Sequence, residues 1–207
     1  MSQVDNVHAN GELPAEPERA TLEGRNKILG FWLFLGAEMV LFGTLFATFI
    51  ALRHNSLGGP TGQELFDLKL VALATVILLT SSLMSVFAIQ ALHRHDRKGV
   101  QFWFFITVLL GLAFLVLEIY EFYHYVHEGH GFTTSAFGSS FYALVGFHGA
   151  HVALGIAWIS LLIGQLFKKG LTTVTAPKVY VASLYWHFID VVWVFIFTIV
   201  YLMGKVG

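Results

Sequence analysis

The sequence contains no cysteine in its 207 residues. That absence removes disulfides, thiolate metal sites, iron–sulfur clusters and cysteine nucleophiles together. Charge is scarce too: Asp, Glu, Lys and Arg make up 12% of the chain, about half the share of an average soluble domain. The formal net charge of −1 gives a nucleic-acid partner no support. No phosphate-binding loop, nucleophile elbow or zinc-protease motif is present. What fills the chain instead is apolar: 56% of residues are hydrophobic, 20 of them Phe, and the mean hydropathy is +0.70. An ordinary cytosolic globule and a disordered chain are both excluded, and lipid is the expected solvent.

A lipid-crossing helix needs about 20 mostly apolar residues. Five blocks of that length occur, at about 28–52, 68–92, 100–125, 138–167 and 179–203. They predict an all-α fold, an integral membrane bundle of five transmembrane helices. A strand-based barrel is excluded, since its segments of about ten alternating residues give no apolar runs this long. The connectors are short and polar. Residues 54–67 hold Gly58, Gly59, Pro60 and Gly62, residues 93–99 form a tight charged hairpin, residues 126–137 are rich in Gly, Ser and Thr, and residues 168–178 contain Pro177. Residues 1–24 are acidic and weakly hydrophobic, with Asp5, Glu12, Glu16, Glu18 and Glu23. They read as a polar N-terminal tail ahead of a transmembrane domain over 25–207. The acidic start lacks the basic stretch of a secretory signal, so the first span is expected to be a retained anchor. No internal or inverted repeat is visible.

Five spans put the termini on opposite sides. Arg19, Arg25, Lys27, Arg94, Arg97, Lys98, Lys168, Lys169 and Lys178 fall on the N-terminal side. Only Arg53, Lys69 and Lys205 fall on the other. The positive-inside rule then predicts a cytoplasmic N-terminus and an outside C-terminus.

The informative residues are those that hydrocarbon rejects. A charged carboxylate at mid-helix costs about 2.5–3.5 kcal/mol on insertion scales. Glu38 sits near the centre of the first span, in FWLFLGAEMVLF. Protonation and a hydrogen bond to a neighbouring helix are the expected escape; a proton-carrying role is the alternative. Glu118 and Glu121 lie three residues apart on one face of the third span, with hydrogen bonding to His148 or His151 as their expected use. His148 and His151, in HGAH, share a face of the fourth span. His187 and Asp190 repeat that spacing in the fifth, where a local or interhelical pair would lower the insertion cost. Two imidazoles are not a metal site, although Glu118 and Glu121 would complete a carboxylate–histidine set if the helices converged. Haem ligation is limited to His148, His151 and His187. His124, His127, His130 and Glu128 suggest an exposed, pH-sensitive outer loop. Trp32, Trp103 and Tyr185, with Tyr123 and Tyr125 at the other end, fit aromatic belts. Gly146, Gly149 and Gly155 offer notches for close helix approach.

Three function classes are compatible with these residues. One is a packing subunit of a larger machine. Another is an independent haem- or metal-bearing membrane enzyme using His148, His151, His187 and Glu121. The last is a small transporter in which Glu38 couples protons to substrate.

Four motifs in order favour the first class. FWLFLGAEMVLF around Glu38, LEIYEF around Glu121, GSSFYALVGFHGAHV around His148 and His151, and SLYWHFIDVVWVFIF around Trp186, His187, Asp190 and Trp193 resemble subunit III of haem–copper respiratory oxidases. The acidic start and the TAPKVYVASLYWHFIDVVW ending are most similar to the Bacillus caa-type cytochrome c oxidase, whose subunit II carries a fused cytochrome c; the menaquinol-oxidase subunit III is the near alternative. The resemblance implies a five-helix form lacking the first two spans of the seven-span form. It implies a chain with no catalytic residue, metal or redox centre of its own, in an oxygen-reducing, proton-pumping complex of a bacterial plasma membrane. Haems and copper then reside in partner subunits, and the partners are subunit I, subunit II, a small subunit IV and phospholipids. Glu38 matches the family's buried glutamate, associated with lipid contact and proton uptake into subunit I. Trp32, Trp186 and Trp193 are the expected aromatic packing positions. Glu118 stands where many relatives carry Gln, so no role transfers to it.

Overall fold

The computed structural model describes residues 13–53, 68–127 and 135–206. The glycine-rich connector at 54–67, the positions Glu128 and His130, and the acidic Asp5 and Glu12 lie outside the described residues. Five long helices account for the predicted spans: α1 (Leu22–Leu52), α2 (Leu68–His93), α3 (Arg97–His127), α4 (Ala136–Lys169) and α5 (Ala176–Ile196). The last continues through a π-helical turn at Phe197–Leu202 into a final turn at Met203–Val206. All five stretches are long and apolar enough to cross a bilayer. The helices overrun the apolar blocks because hydropathy marks only the lipid-crossing part; the polar ends stay helical beyond it. Thr21 caps α1 by accepting from the Gly24 amide, and Ser135 caps α4 by accepting from Gly138.

Burial follows one rule in α1, α2 and α3. In α1 the inward positions are Gly24, Ile28, Phe31, Leu35, Glu38, Phe42, Leu45 and Phe49. The steps alternate four and three residues. Val71, Ala74, Leu78, Ser81, Ser85, Ala88 and Leu92 repeat the pattern in α2. In α3 it runs Val100, Phe104, Thr107, Gly111, Phe114, Glu118, Glu121 and Tyr125. A 3.5-residue period is the coiled-coil seam, which keeps one narrow stripe against its neighbours over the full span. This register turns Glu38, Glu118 and Glu121 inward and leaves the rest of each helix to lipid or partners.

Helix α5 is the hub. It packs on α1, α2 and α4, while α2–α3, α3–α4 and α1–α4 pair around it. Trp186 occupies the centre, where Gly111 of α3 and Gly155 of α4 make room for its ring. A β-carbon at Gly111 would lie 2.6 Å from the ring, and one at Gly155 would lie 3.0 Å from it.

At the N-terminal end, residues 13–21 lie against the α2–α3 turn. Glu18 is buried and bonds His93 Nε2 at 3.1 Å, and His95 Nε2 donates to the Pro14 carbonyl at 3.0 Å. His95 holds φ 57°. The Asp96 amide reaches back to the Ala91 carbonyl and the His95 amide to Leu92. This is a Schellman stop with histidine in the left-handed position that glycine normally takes. Arg97 closes the neighbouring helix end, its Nη2 donating to the Phe167 carbonyl at 2.6 Å. A cation on terminal carbonyls contributes about 0.3–1 kcal/mol. Arg97→Ala should therefore lower stability by about 0.5–1 kcal/mol, read as a small downward shift in the melting temperature of the purified protein; an unchanged melt would rule out the cap.

Candidate functional site

Glu38 meets His151. The α1 seam points the carboxyl at α4, and His151 Nε2 lies 3.1 Å from Glu38 Oε2. The other ring nitrogen, Nδ1, lies 2.7 Å from the Phe147 carbonyl. A carbonyl only accepts, so Nδ1 carries a hydrogen. The Nε2–Oε2 contact then holds a single proton, owned by the acid or by the imidazole. In either case the pair is neutral overall, which answers the insertion penalty of an isolated carboxylate. Phe42 packs on the imidazole with centroids 5.1 Å apart, and the Tyr185 hydroxyl donates to the His151 carbonyl at 3.2 Å. Both partners remain slightly exposed, 15% for Glu38 and 13% for His151, so the pair lies at the lip of the α1–α4 seam.

A second polar line joins α2 to α5. Trp186 Nε1 donates to Ser81 Oγ at 2.9 Å and Trp193 Nε1 to Thr75 Oγ1 at 2.9 Å. Ser82 Oγ bonds His187 Nδ1 at 2.7 Å, and Ser85 bonds Ser183 at 2.8 Å. Asp190 takes no part in a bond to His187. Ser82 sits across the helix interface at the Nδ1 side of the imidazole, and Ser183, one turn back on α5, lies 3.4 Å from its Nε2, so the ring is held by two hydroxyls, one interhelical and one local. Small hydroxyl residues let two membrane helices approach closely and hydrogen-bond across. Sequence reasoning passed over Ser81, Ser82, Ser85 and Thr75. For the three serines the signal was present: TSSLMS gathers them with Thr80 in a mostly apolar span.

The α3 acids do not bond His148 or His151. Glu121 accepts from Tyr201 at 3.2 Å and from Tyr125 one turn along its own helix. The π-helical turn makes the first contact possible, with the Met203 amide reaching back five residues to the Thr198 carbonyl. Glu118 lies against the backbone of Gly149 instead, where a β-carbon would sit 2.7 Å from its Oε1. Gly149→Ala should thus cost about 1–3 kcal/mol by overpacking, and Glu118→Ala should relieve part of that cost. A thermal double-mutant cycle reads the coupling; additive effects would contradict the contact. Gly146 has only an ordinary contact to Phe122 at 3.9 Å and makes no such notch.

His148 is fully buried between Phe114 and Trp193. His148, His151, His187 and Glu121 are therefore held by four different sets of neighbours and do not converge. Among the described residues no group of three or more His, Asp or Glu is placed to hold a metal. Trp193 is buried like Trp186, whereas Trp32 is 55% exposed on the outer face of α1. Tyr185 and Tyr125, expected in aromatic belts, are buried because each hydroxyl finds a partner inside. Tyr123 is exposed beside His127, and His124 stacks on exposed Tyr120.

Near the N-terminal end of the bundle, Lys27, Phe31, Phe34, Trp158, Pro177 and Lys178 line an open groove between α1, α4 and α5. A neighbouring hollow along α4 adds Gln165, Lys168 and Lys169. The walls are apolar and the rim is cationic.

The family described as Cytochrome c oxidase subunit III matches residues 6–205 of this chain. Cytochrome c oxidase subunit 3 of Bacillus sp. (strain PS3) is 65% identical over 207 residues, covering 97% of this chain and all of that protein. The protein of the same name from Bacillus subtilis (strain 168) is 60% identical over 206 residues, covering 99% of this chain and all of its own length. Quinol oxidase subunit 3 of Bacillus subtilis (strain 168) is 52% identical over 200 residues, covering 97% of each chain.

Proposed function

The chain belongs to the cytochrome c oxidase subunit III family, and on that premise we propose that it is the non-catalytic third subunit of a proton-pumping cytochrome c oxidase. It takes part in oxygen reduction by aerobic respiration as a component of the complex. Haems and copper belong to partner subunits I and II, with a small subunit IV completing the assembly in a bacterial plasma membrane. The excess of Lys and Arg on one side supports a cytoplasmic N-terminus. The higher identity to cytochrome c oxidases than to quinol oxidases supports cytochrome c as donor; a quinol oxidase is the competing reading.

One observation carries the chemical part of this reading: the Glu38–His151 bond, a proton-sharing pair at the edge of the α1–α4 seam. Such a pair locks two helices together without leaving net charge in the lipid. It also offers a group that exchanges a proton with little rearrangement, which suits a subunit that supports proton uptake by subunit I. The apolar groove with a rim of Lys27, Lys168, Lys169 and Lys178 supports phospholipid binding, since lysines pair with headgroup phosphates while Phe31, Phe34 and Trp158 face acyl chains.

The test is to purify the oxidase with and without this chain. Loss of the chain should shorten the turnover lifetime and weaken pumping while the haem spectrum stays intact. If assembly, lifetime and pumping were all unchanged, the reading would fail. Mass spectrometry of the intact complex names the donor class: a co-purifying subunit II with a covalently bound haem supports cytochrome c, and its absence supports quinol.

A further inference from the structure

Several hydroxyls of this bundle bond within their own helix. Those of Thr75, Thr80, Ser81, Thr107 and Thr198 each donate to a backbone carbonyl three or four residues back. Three along the α2–α5 interface meet other side chains instead. Ser85 Oγ lies 2.8 Å from Ser183 Oγ, Ser183 Oγ lies 3.4 Å from His187 Nε2, and His187 Nδ1 lies 2.7 Å from Ser82 Oγ. Ser82 is also the hydroxyl that faces the Asp190 carboxyl, neither oxygen of which has a closer hydrogen bond. Asp190, Ser82, His187, Ser183 and Ser85 therefore stand in line. Asp190, Ser183 and Ser85 are 3%, 2% and 0% exposed.

Such a line has little freedom. Each linking serine has one hydrogen and stands in two contacts, so it donates in one and accepts in the other. A neutral imidazole, with one N–H and one bare nitrogen, obeys the same rule. The direction of one contact then fixes the direction of all, and Asp190 stands at the end that decides. As an acid it donates to Ser82, Ser82 donates to Nδ1, Nε2–H donates to Ser183, and Ser183 donates to Ser85. As a carboxylate it only accepts, so Ser82 turns towards it and Nδ1 must carry a hydrogen. No Lys or Arg acts on Asp190 or His187, and hydrocarbon rejects an uncompensated carboxylate. The acid is the form that leaves no charge in the interface.

We propose that Asp190 is a positioning residue: as the neutral acid it orders the line Ser82–His187–Ser183–Ser85 in one direction and fixes His187 as the neutral Nε2–H tautomer. The line carries the protonation state of one acid along about 10 Å of α5, from Asp190 back to Ser183, and across to α2. Loss of that proton reverses every contact in it while each pair of heavy atoms stays in place. The inference rests on the α2–α5 interface alone and does not depend on the oxidase reading.

The test is solid-state NMR of the intact complex in lipid, with histidine labelled with carbon-13 and nitrogen-15. His187 is the signal missing from His187→Gln. Its one-bond correlation from Cδ2 reports Nε2, and that from Cγ reports Nδ1. In the unmodified protein Nε2 should be protonated and Nδ1 bare, with this tautomer in about fivefold excess, the bias one hydrogen bond supplies. An Nδ1–H tautomer, or an imidazolium with both nitrogens protonated, would overturn the proposal. Asp190→Asn keeps a donor facing Ser82 and should keep the tautomer. Asp190→Leu removes the donor, and the excess should fall towards an even mixture; an unchanged ratio would remove Asp190 from the ordering. Should the leucine variant fail to assemble, the infrared difference between the unmodified protein and Asp190→Asn decides. It should show the carbonyl stretch of one protonated carboxyl, and its absence would equally sink the proposal.

Discussion

Trp186→Ala should destabilise the chain by about 3–5 kcal/mol, the range for truncating a fully buried aromatic. The size follows from where the ring sits. It is 1% exposed and fills the space left by Gly111 on α3 and Gly155 on α4, while its Nε1 donates to Ser81 on α2. One side chain of α5 therefore joins four helices. The surrounding notches are backbone rather than flexible side chains, so the cavity left by alanine collapses poorly. Trp186→Phe keeps most of the ring contact and loses the hydrogen bond, which contributes about 1 kcal/mol. The order expected is unmodified, then Phe, then Ala. It is read from the thermal retention of this chain in the detergent-solubilised complex. A Trp186→Ala protein that melts with the unmodified one would show that the centre of the bundle is not where its stability resides.

Glu38→Arg should leave little or none of the chain in the membrane. An arginine at mid-span costs about 2.5–3.5 kcal/mol to insert, and here it would also face His151 with no acid to answer it. Glu38→Gln is expected to insert and pack, because the amide keeps the shape and can donate to His151 Nε2. The two variants separate charge from size. They also separate structure from proton chemistry. A hydrophobic carbodiimide reacts with a protonated carboxyl in apolar surroundings, so labelling of Glu38 that is lost in Glu38→Gln assigns the shared proton to the acid, and absence of labelling in the unmodified protein assigns it to His151. Membrane yield and mass-spectrometric labelling read the two effects. Normal insertion of Glu38→Arg would mean that the position is open to water rather than set in the α1–α4 seam.

The five spans were legible because an apolar run long enough to cross lipid is a one-dimensional signal. The inward orientation of Glu38 was legible for the same reason: hydrocarbon leaves a mid-span acid few alternatives. Its partner was not. His151 lies 113 residues away, and which helices touch is decided by packing that a single sequence does not carry. The α3 acids show a different limit. Their shared face was readable from the three-residue spacing, yet the expected bond to His148 or His151 is replaced by tyrosine hydroxyls and a glycine notch. The contact between Tyr201 and Glu121 depends on the π-helical turn, which hydropathy periodicity does not reveal. His187 and Asp190 repeat the lesson, since a shared spacing places two groups on one face without making them partners. The hydroxyl cluster at residues 80–85 was readable and carries much of the α2–α5 interface.

The π-helical turn at Phe197–Leu202 has a consequence for how the C-terminal end of this chain can vary. In a regular helix each residue advances the side chains by about 100°. Deleting a single residue there would restore ordinary winding, swing the Tyr201 hydroxyl away from Glu121, and break a contact that bridges two helices. Apart from the buried Val200 and Tyr201, substitutions in this stretch that keep the count leave that contact in place, whereas a change of length by one does not. Outside those two positions the segment is constrained in number more tightly than in identity.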